Sequence, residues 1–214
     1  MRRNSVWRSV CVVVAMAAVW ACRLEAASIV REGFDYPIGS ELHGQNGGEG
    51  WMAPWFINPS TSQVLMTNVE GLSYPGWPTQ GAAAAWCTRN YQSTRQHPVL
   101  PALDGDVVWF SLLFHATNTS QTRVQFASAS SATGFGIEIA STNGGVVRAK
   151  INATQSTMEA PAALSNTHLV IGKFVFSNAT PDHLDVWVNP TNWISEEALG
   201  PAHSVVEANV TTNT

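Results

Sequence analysis

The side chains of this sequence best suited to contacting a ligand are the aromatic rings of one proline-rich loop. The loop 73–78 holds Tyr74 and Trp77 between two prolines and a glycine. Sugar rings stack on aromatic faces because their C–H surfaces are apolar, and nearby polar groups can bond the hydroxyls. We therefore predict Tyr74 and Trp77 as ligand-binding residues, with capping of one end of the fold as the alternative role.

Four other tryptophans are predicted to pack inside the protein. Trp109 and Trp187 fall within strand-like runs, and Trp51 and Trp55 follow a glycine-rich turn. His115 also falls within a strand-like run, so it is predicted to be a hydrogen-bonded core histidine rather than a ligand.

No pattern of catalytic carboxylates or of a nucleophilic serine occurs in the sequence. Retaining glycosidases hold two carboxyl groups about 5 to 5.5 Å apart, a spacing that positions i and i+2 of a strand can supply. Glu138 stands alone in its run, and Asp104 and Asp106 fall in a predicted turn. The G-x-S-x-G motif of a serine hydrolase is not found either. The sequence therefore predicts a non-catalytic module.

No metal site is predicted from residue spacing. The six histidines are scattered, without the H-E-x-x-H pattern of a zinc site. Calcium stays open as a cofactor, because it binds loop carboxylates and carbonyls, although no D-x-D-x-D-G string gathers them. The loop or strand-end carboxylates are Asp35, Asp104, Asp106, Asp182 and Asp185.

The charge balance argues against a nucleic-acid partner. The chain has 11 basic and 15 acidic side chains, and removing residues 1–26 takes away four arginines and one glutamate, so the net charge becomes -7. A nucleic-acid-binding protein needs clustered positive charge. The same removal leaves Cys87 as the one remaining cysteine, which excludes an internal disulfide.

Short apolar or alternating runs separated by Gly, Asn and Pro predict an all-β fold of antiparallel strands. The run 107–114 is apolar on both faces and is predicted to be a central strand covered on each side. The alternation within 122–151 predicts a three-stranded meander, with a hairpin at Asn143-Gly144-Gly145. For the alanine run 82–85, a strand and a helical turn both stay open, because isolated helices need roughly 12 to 15 residues and the run is too short to decide. The predicted strands are 63–69, 82–89, 106–116, 122–128, 134–140, 146–151, 168–176 and 183–188.

Two segments carry a resemblance to a known superfamily. The first, EGFDYPIGSELHGQNGGEGW, follows a predicted edge strand at 29–36 and leads into Trp51 and Trp55 as aromatic anchors. The second is THLVIGKFVFSNATPDHLDVWVNPT. Together they resemble secreted bacterial domains of the concanavalin A-like (laminin G-like) jelly-roll superfamily, which often carry a PEP-type C-terminal sorting tail.

The resemblance implies an antiparallel two-sheet β-sandwich over residues 27–214, and it favours a strand of small residues for the alanine run 82–85. It also implies a sandwich incomplete at its C-terminus, because after residue 190 only 204–210 offers a further strand and no sorting tail follows. The superfamily includes lectins, hydrolases and adhesion modules, so the fold does not select an activity.

Residues 1–26 are predicted to be a secretory signal peptide. Three arginines precede an apolar core of 12 residues at 10–21, and cleavage is expected at Ala26 and Ala27. A bilayer-spanning helix needs about 20 apolar residues, so no transmembrane segment is expected after signal removal. The alternative is a lipid anchor on Cys22, although Trp20 is bulky for the lipobox.

Four N-x-S/T sequons would accept glycans in a eukaryotic secretory route. In a chain rich in Asn and Thr, chance explains them, in keeping with the bacterial resemblance. They lie at Asn118, Asn152, Asn178 and Asn209.

Three functions follow, in order of support. The first is a secreted or cell-surface module that binds a polysaccharide, a cell-surface glycan or matrix. The second is a structural or adhesion domain that recognises protein, and the third is a divergent glycosidase or polysaccharide lyase.

Overall fold

The computed structural model describes residues 30–57, 67–77, 81–85, 93–98, 103–117, 122–127, 134–140 and 145–210. In these ranges the chain is all-β, with antiparallel sheets and one short helix. The predicted leader, with Cys22, Ala26 and Ala27, lies outside the described residues, as do Trp86 and Cys87. Within the described part of the chain, no helix has the length and apolar character required to cross a membrane.

A four-stranded antiparallel sheet is built around the longest apolar strands. β5 (Val107–His115) pairs with β11 (Thr167–Val175), which pairs with β12 (His183–Val188), and β12 pairs with β13 (Ser204–Glu207). Register pairs such as Trp109↔Lys173 and Lys173↔Asp185 fix which side chains share a face.

A five-stranded antiparallel sheet follows the predicted meander. β6 (Thr122–Ala127), β7 (Gly134–Ala140) and β8 (Val146–Ile151) pair in sequence order. β10 (Ala160–Pro161) extends the sheet beyond β8, and β9 (Thr154–Gln155) also pairs with β8. Alternation puts every second residue of these strands on the same face.

The two sheets share one hydrophobic core, to which both contribute aromatic rings. Phe135 of β7 and Phe174 of β11 stack with centroids 3.8 Å apart and ring planes 8° apart. Phe176 meets both rings edge-on. Burial of such large apolar side chains is the main stabilising contribution in a domain of this kind.

Smaller elements complete the described chain. β1 (Phe56–Ile57) pairs with β4 (Ser93–Thr94), and β2 (Thr67–Val69) pairs with β3 (Ala83–Ala85), so the described part of the alanine run forms a strand. The helix α1 (Glu196–Leu199) is a single turn that begins at the N-cap Ser195.

The prediction of a central, covered strand at 107–114 is wrong. Among the described strands, β5 ends the four-stranded sheet, and its outward residues Val107, Trp109, Ser111 and His115 are exposed. The opposite face, which carries Phe114 and its alternate neighbours, packs into the shared core, and on the outward face Leu113 packs against a smaller cluster that includes Trp187. The predicted core positions of Trp109 and His115 are wrong for the same reason.

The prediction of an edge strand at 29–36 is also wrong over the described residues 30–36. This segment forms a single bridge, Arg31↔Glu49. The Glu32 carboxylate accepts a hydrogen bond of 2.8 Å from the N–H of Phe34, and Phe34 has a φ of 54°. A local side-chain acceptor has therefore replaced the strand partner that the alternation suggested.

Candidate functional site

The aromatic surface, defined as Tyr74, Trp77, Trp109 and Trp193, lies on the outward face of the four-stranded sheet. The register puts Trp109, Lys173 and Asp185 in one row across that face. Tyr74, Trp77 and Trp193 pack over the next part of the face as members of a second, smaller hydrophobic cluster. The described loops that bring them there are 70–77 and 190–195.

Trp109 is the most exposed aromatic ring of this surface. It is 46% exposed, and it stacks on Trp187 with centroids 6.0 Å apart and planes 19° apart. Trp187 is buried, and its indole N–H donates to the carbonyl of Gly200 at 2.9 Å. Because the Trp109 ring is already packed against Trp187, it loses little conformational freedom when a ligand stacks on its exposed side.

Tyr74 and Trp77 both contact Trp193 edge-on, with centroids 6.3 and 5.6 Å apart. Gly76, with a φ of 76°, lets the loop turn closely against Trp193, since a Cβ there would lie 3.2 Å from the indole. Both rings are half-buried, and burial raises the pKa of the Tyr74 phenol. The predicted binding residues thus also pack as a cap over the sheet.

Polar groups border the aromatic surface. The ammonium of Lys173 lies 5.6 Å from the centroid of the Trp109 ring, and it forms an ion pair with Glu196 at the start of α1. Ser111, two residues after Trp109 on the same face of β5, is exposed. Rigid aromatic faces beside hydrogen-bonding groups are the arrangement that recognises a sugar ring.

A second polar constellation lies on the side of the five-stranded sheet that faces away from the shared core, where Glu138 and Lys150 are buried. The polar face is defined here by Arg123, Glu138, Arg148, Lys150, Gln155 and Glu159. Glu138 is completely buried, and its Oε2 accepts from Arg123 Nε and from Gln155 Nε2, both at 2.9 Å. Sequence spacing left Glu138 as a solitary carboxylate and gave no sign of this cluster.

Two carboxylates of the polar face meet the same guanidinium. Arg148 Nη1 lies 3.9 Å from Glu138 Oε1, while Arg148 Nε donates to Glu159 Oε1 at 2.8 Å. Both carboxylates are therefore ion-paired through Arg148, an arrangement suited to fixing charge rather than to exchanging a proton.

His183, the first residue of β12, lies between two carboxylates. Its Nε2 is 2.9 Å from Asp185 Oδ1, and its Nδ1 is 3.2 Å from Glu207 Oε1. Among the residues that the structure describes, no group of three or more His, Cys, Asp or Glu side chains could hold a metal ion. Asp104 and Asp106 cap backbone N–H groups of Asn178 and Leu103, as predicted for turn residues.

A cavity of about 380 Å³ lies between the loop 176–182 and residues 209–210. Its carboxylate, Asp182, already accepts from the N–H of Ser177 at 2.8 Å and from that of Val210 at 2.6 Å. Because both carboxylate oxygens of Asp182 accept hydrogen bonds from backbone N–H groups, this side chain has a structural role.

Among the rings of this surface, sequence reasoning singled out Tyr74 and Trp77 and missed Trp109 and Trp193. The signal for Trp109 was available in the alternation of β5, where polar Ser111 and His115 share its face. No family model, curated protein or solved structure matches this chain.

Proposed function

We propose that this chain is an exported, non-catalytic β-sandwich module of the concanavalin A-like jelly-roll type, and that it binds carbohydrate through the aromatic surface. Two antiparallel sheets on one shared core support the sandwich. The leader-like residues 1–26 support export to the cell surface or the medium.

The main support for this proposal is the exposed Trp109 ring, which stacks on the buried Trp187. The exposed side of the Trp109 ring adds nothing to the packing of the protein, whereas it offers a sugar ring an apolar, immobile contact. Lys173 borders the ring, and the ion pair that it forms with Glu196 offers a donor and an acceptor for hydroxyl groups.

The test is binding of neutral polysaccharides by the full chain, first on a glycan array and then by calorimetry with the best ligand. We expect Trp109→Ala to weaken binding about tenfold, which corresponds to loss of one aromatic contact. Trp77→Ala should weaken it less, because that ring is half-buried against Trp193.

The matched control is Phe56→Ala, which removes another exposed aromatic ring, 52% exposed, away from this surface. It should leave binding unchanged. Uniform absence of binding across neutral polysaccharides, or equal binding by Trp109→Ala and the unaltered chain, would contradict the proposal.

A second candidate function is an adhesion domain that recognises protein. It is favoured by apolar exposure around the same rings, since Val107 is 41% and Ile194 84% exposed. Cross-linking on intact cells should then yield a protein partner, and Ile194→Ser should abolish its capture while leaving the chain folded.

A further inference from the structure

We propose that the ligand of the aromatic surface is a linear polysaccharide in an extended, flat form, which lies along β5 and contacts the protein through about three consecutive sugar rings. This assignment rests on the proposed function, because both use the same aromatic rings. It adds the length, the shape and the direction of the ligand, which carbohydrate binding alone does not specify.

The outward face of the four-stranded sheet is arranged in rows that fix where each side chain stands. Trp109 pairs with Lys173 in one row, and Ser111 lies in the next row, opposite Ile171. Leu169 lies one row further. Alternate residues of a strand are about 7 Å apart along its axis, and this distance separates neighbouring rows.

Aromatic rings stand on this face at two separate places. Trp109 stands in the first row. The aromatic cap, defined as Tyr74, Trp77 and Trp193, packs against the buried cluster of the two rows beyond it. The backbone positions beneath Trp109 and beneath the cap are therefore about 7 to 14 Å apart along the strand. Since a pyranose ring is similar in size to one aromatic ring, a single sugar cannot stack on both.

The fold holds both places rigid. Trp109 stacks on the buried ring of Trp187, and the rings of Tyr74 and Trp77 both pack edge-on against Trp193. Rigid contacts at a fixed separation favour a ligand whose own rings already lie at matching positions, because neither partner then loses much conformational freedom. A stiff, extended chain meets this condition better than a flexible or coiled one.

The direction of the ligand follows from the neighbours of Trp109. Along β5, Val107 is 41% exposed on one side of it, and on the other side Ser111 is exposed before the cap begins. Across the strands, the row of Trp109 continues with the polar side chains of Lys173 and Asp185. Sugar faces stack on apolar surface, whereas the hydroxyl groups at the ring edges bond polar groups. The ring faces therefore follow β5, and the ring edges meet the polar row.

A flat ribbon fits this line of contacts better than a helical polysaccharide does. In β-1,4-linked glucans, xylans and mannans, the chain is extended and every second ring presents the same face to one side. A ring on Trp109 and a ring on the cap can then be joined by a middle sugar over Ser111, whose hydroxyl can bond it. In α-1,4-linked glucans the chain winds into a helix, so that its rings do not follow one flat surface.

The experiment titrates the full chain calorimetrically with β-1,4-linked oligomers of glucose, xylose and mannose, from the single sugar to the hexamer. The α-1,4-linked glucose oligomers are the matched ligands of the other shape. For the ribbon-forming sugar that binds best, we expect the affinity to rise about tenfold from the dimer to the tetramer, because only the longer oligomer reaches both Trp109 and the cap. It should change little from the tetramer to the hexamer, and the α-linked oligomers should bind about tenfold more weakly or not at all.

Two variants distinguish the two places by their dependence on ligand length. Trp109→Ala should weaken binding of the dimer and of the tetramer about tenfold each. Trp77→Ala should weaken binding of the tetramer and leave that of the dimer unchanged, a difference that a purely structural role of the ring would not produce. Phe56→Ala is the control and should leave both affinities unchanged. If Trp77→Ala loosens the fold, the length series on the unaltered chain still decides.

The outcomes separate the extended ligand from the function on which it rests. Absence of binding by every neutral polysaccharide contradicts carbohydrate binding itself. Binding of other neutral glycans but of none of the β-1,4-linked oligomers overturns the extended ligand and leaves the function standing. The same holds if the dimer binds as tightly as the tetramer, if α-linked and β-linked oligomers bind equally, or if Trp77→Ala weakens dimer and tetramer alike.

Discussion

Glu32 shows how one buried carboxylate can hold a segment that forms no strand. It accepts from the N–H of Phe34, the hydroxyl of Tyr36 and the indole N–H of Trp55, and it forms an ion pair with Arg95. The side chains of Glu32 and Arg95 are 8% and 2% exposed. The opening segment is thus organised by charge and hydrogen bonding.

Arg95→Met should destabilise the protein by about 3 kcal/mol, because removing one partner leaves the other charge buried and unpaired. The free energy of unfolding in urea measures this. Lys173→Met, which breaks the more exposed ion pair with Glu196, should cost less than about 1 kcal/mol. Equal effects of the two changes would contradict the assignment of Glu32 as the centre of the segment.

Ionisation of Tyr74 should lower the stability of the protein at alkaline pH. Burial raises its pKa above the ordinary value of 10.0, so the folded state holds the phenol proton more tightly than the unfolded chain. The protonated phenol therefore contributes to the free energy of unfolding. This contribution is complete below about pH 10 and is lost as the pH rises through the pKa of Tyr74 in the folded state.

Tyr74→Phe should therefore flatten the fall in the urea midpoint between roughly pH 9.5 and 11. Tyr36, whose pKa is also raised by burial and by Glu32, remains in the variant and gives a residual slope. An unchanged pH profile would mean that Tyr74 titrates as an exposed phenol.

At the scale of the element, β11 and β5 fit together through a glycine. Gly172 faces Phe110 across the sheet, and a Cβ at Gly172 would lie only 2.1 Å from the end of the phenyl ring. The ring covers the backbone at that point, so the glycine is required for space and not for an unusual backbone angle.

Gly172→Ala should cost about 2 kcal/mol through overpacking. In the background Phe110→Leu, the same change should cost much less, because the clashing ring is gone. The coupling energy from this double-mutant cycle is the measurement. Simple additivity would show that Phe110 does not restrict Gly172.

The strands that sequence predicted well are those whose alternation is undisturbed. Residues 134–140, 146–151 and 183–188 were predicted to the residue, and β6, β7 and β8 form the expected meander. The hairpin signal at residues 143–144 lies outside the described residues, whereas Gly145 directly precedes β8.

The errors arose where tertiary partners decide the outcome. The continuous apolar run of β5 predicts a strand covered on both faces, but its outward tryptophan is half-exposed. The 30–36 segment alternates like a strand, yet Glu32 gives its backbone a different acceptor. The sequence does not predict the polar face for a related reason. It is formed by Arg123, Glu138 and Arg148, which come from three strands and are brought together only by the register of those strands.

At the scale of the whole molecule, one hydroxyl joins the two sheets. Ser204 of β13 is completely buried. Its Oγ accepts from the N–H of Ala149 in the five-stranded sheet and donates to the carbonyl of Met158, both at 2.8 Å. The last described strand therefore adds a polar tie between the layers.

Ser204→Val should destabilise the protein by about 2 kcal/mol, because it leaves a buried donor and a buried acceptor unpaired. Thermal and urea unfolding should report the loss together, as one cooperative transition. Ser111→Val, at an exposed position of β5, should change stability by less than about 0.5 kcal/mol. A neutral result at Ser204 would mean that water replaces the hydroxyl without cost.

The stacked indoles of Trp109 and Trp187 also give the molecule a built-in optical reporter. Two chromophores held at fixed separation and angle couple their electronic transitions, and the outer one is the ring that a bound sugar would cover. Near-ultraviolet circular dichroism of the unlabelled protein should therefore change when the aromatic surface is occupied, and Trp109→Ala should abolish that change.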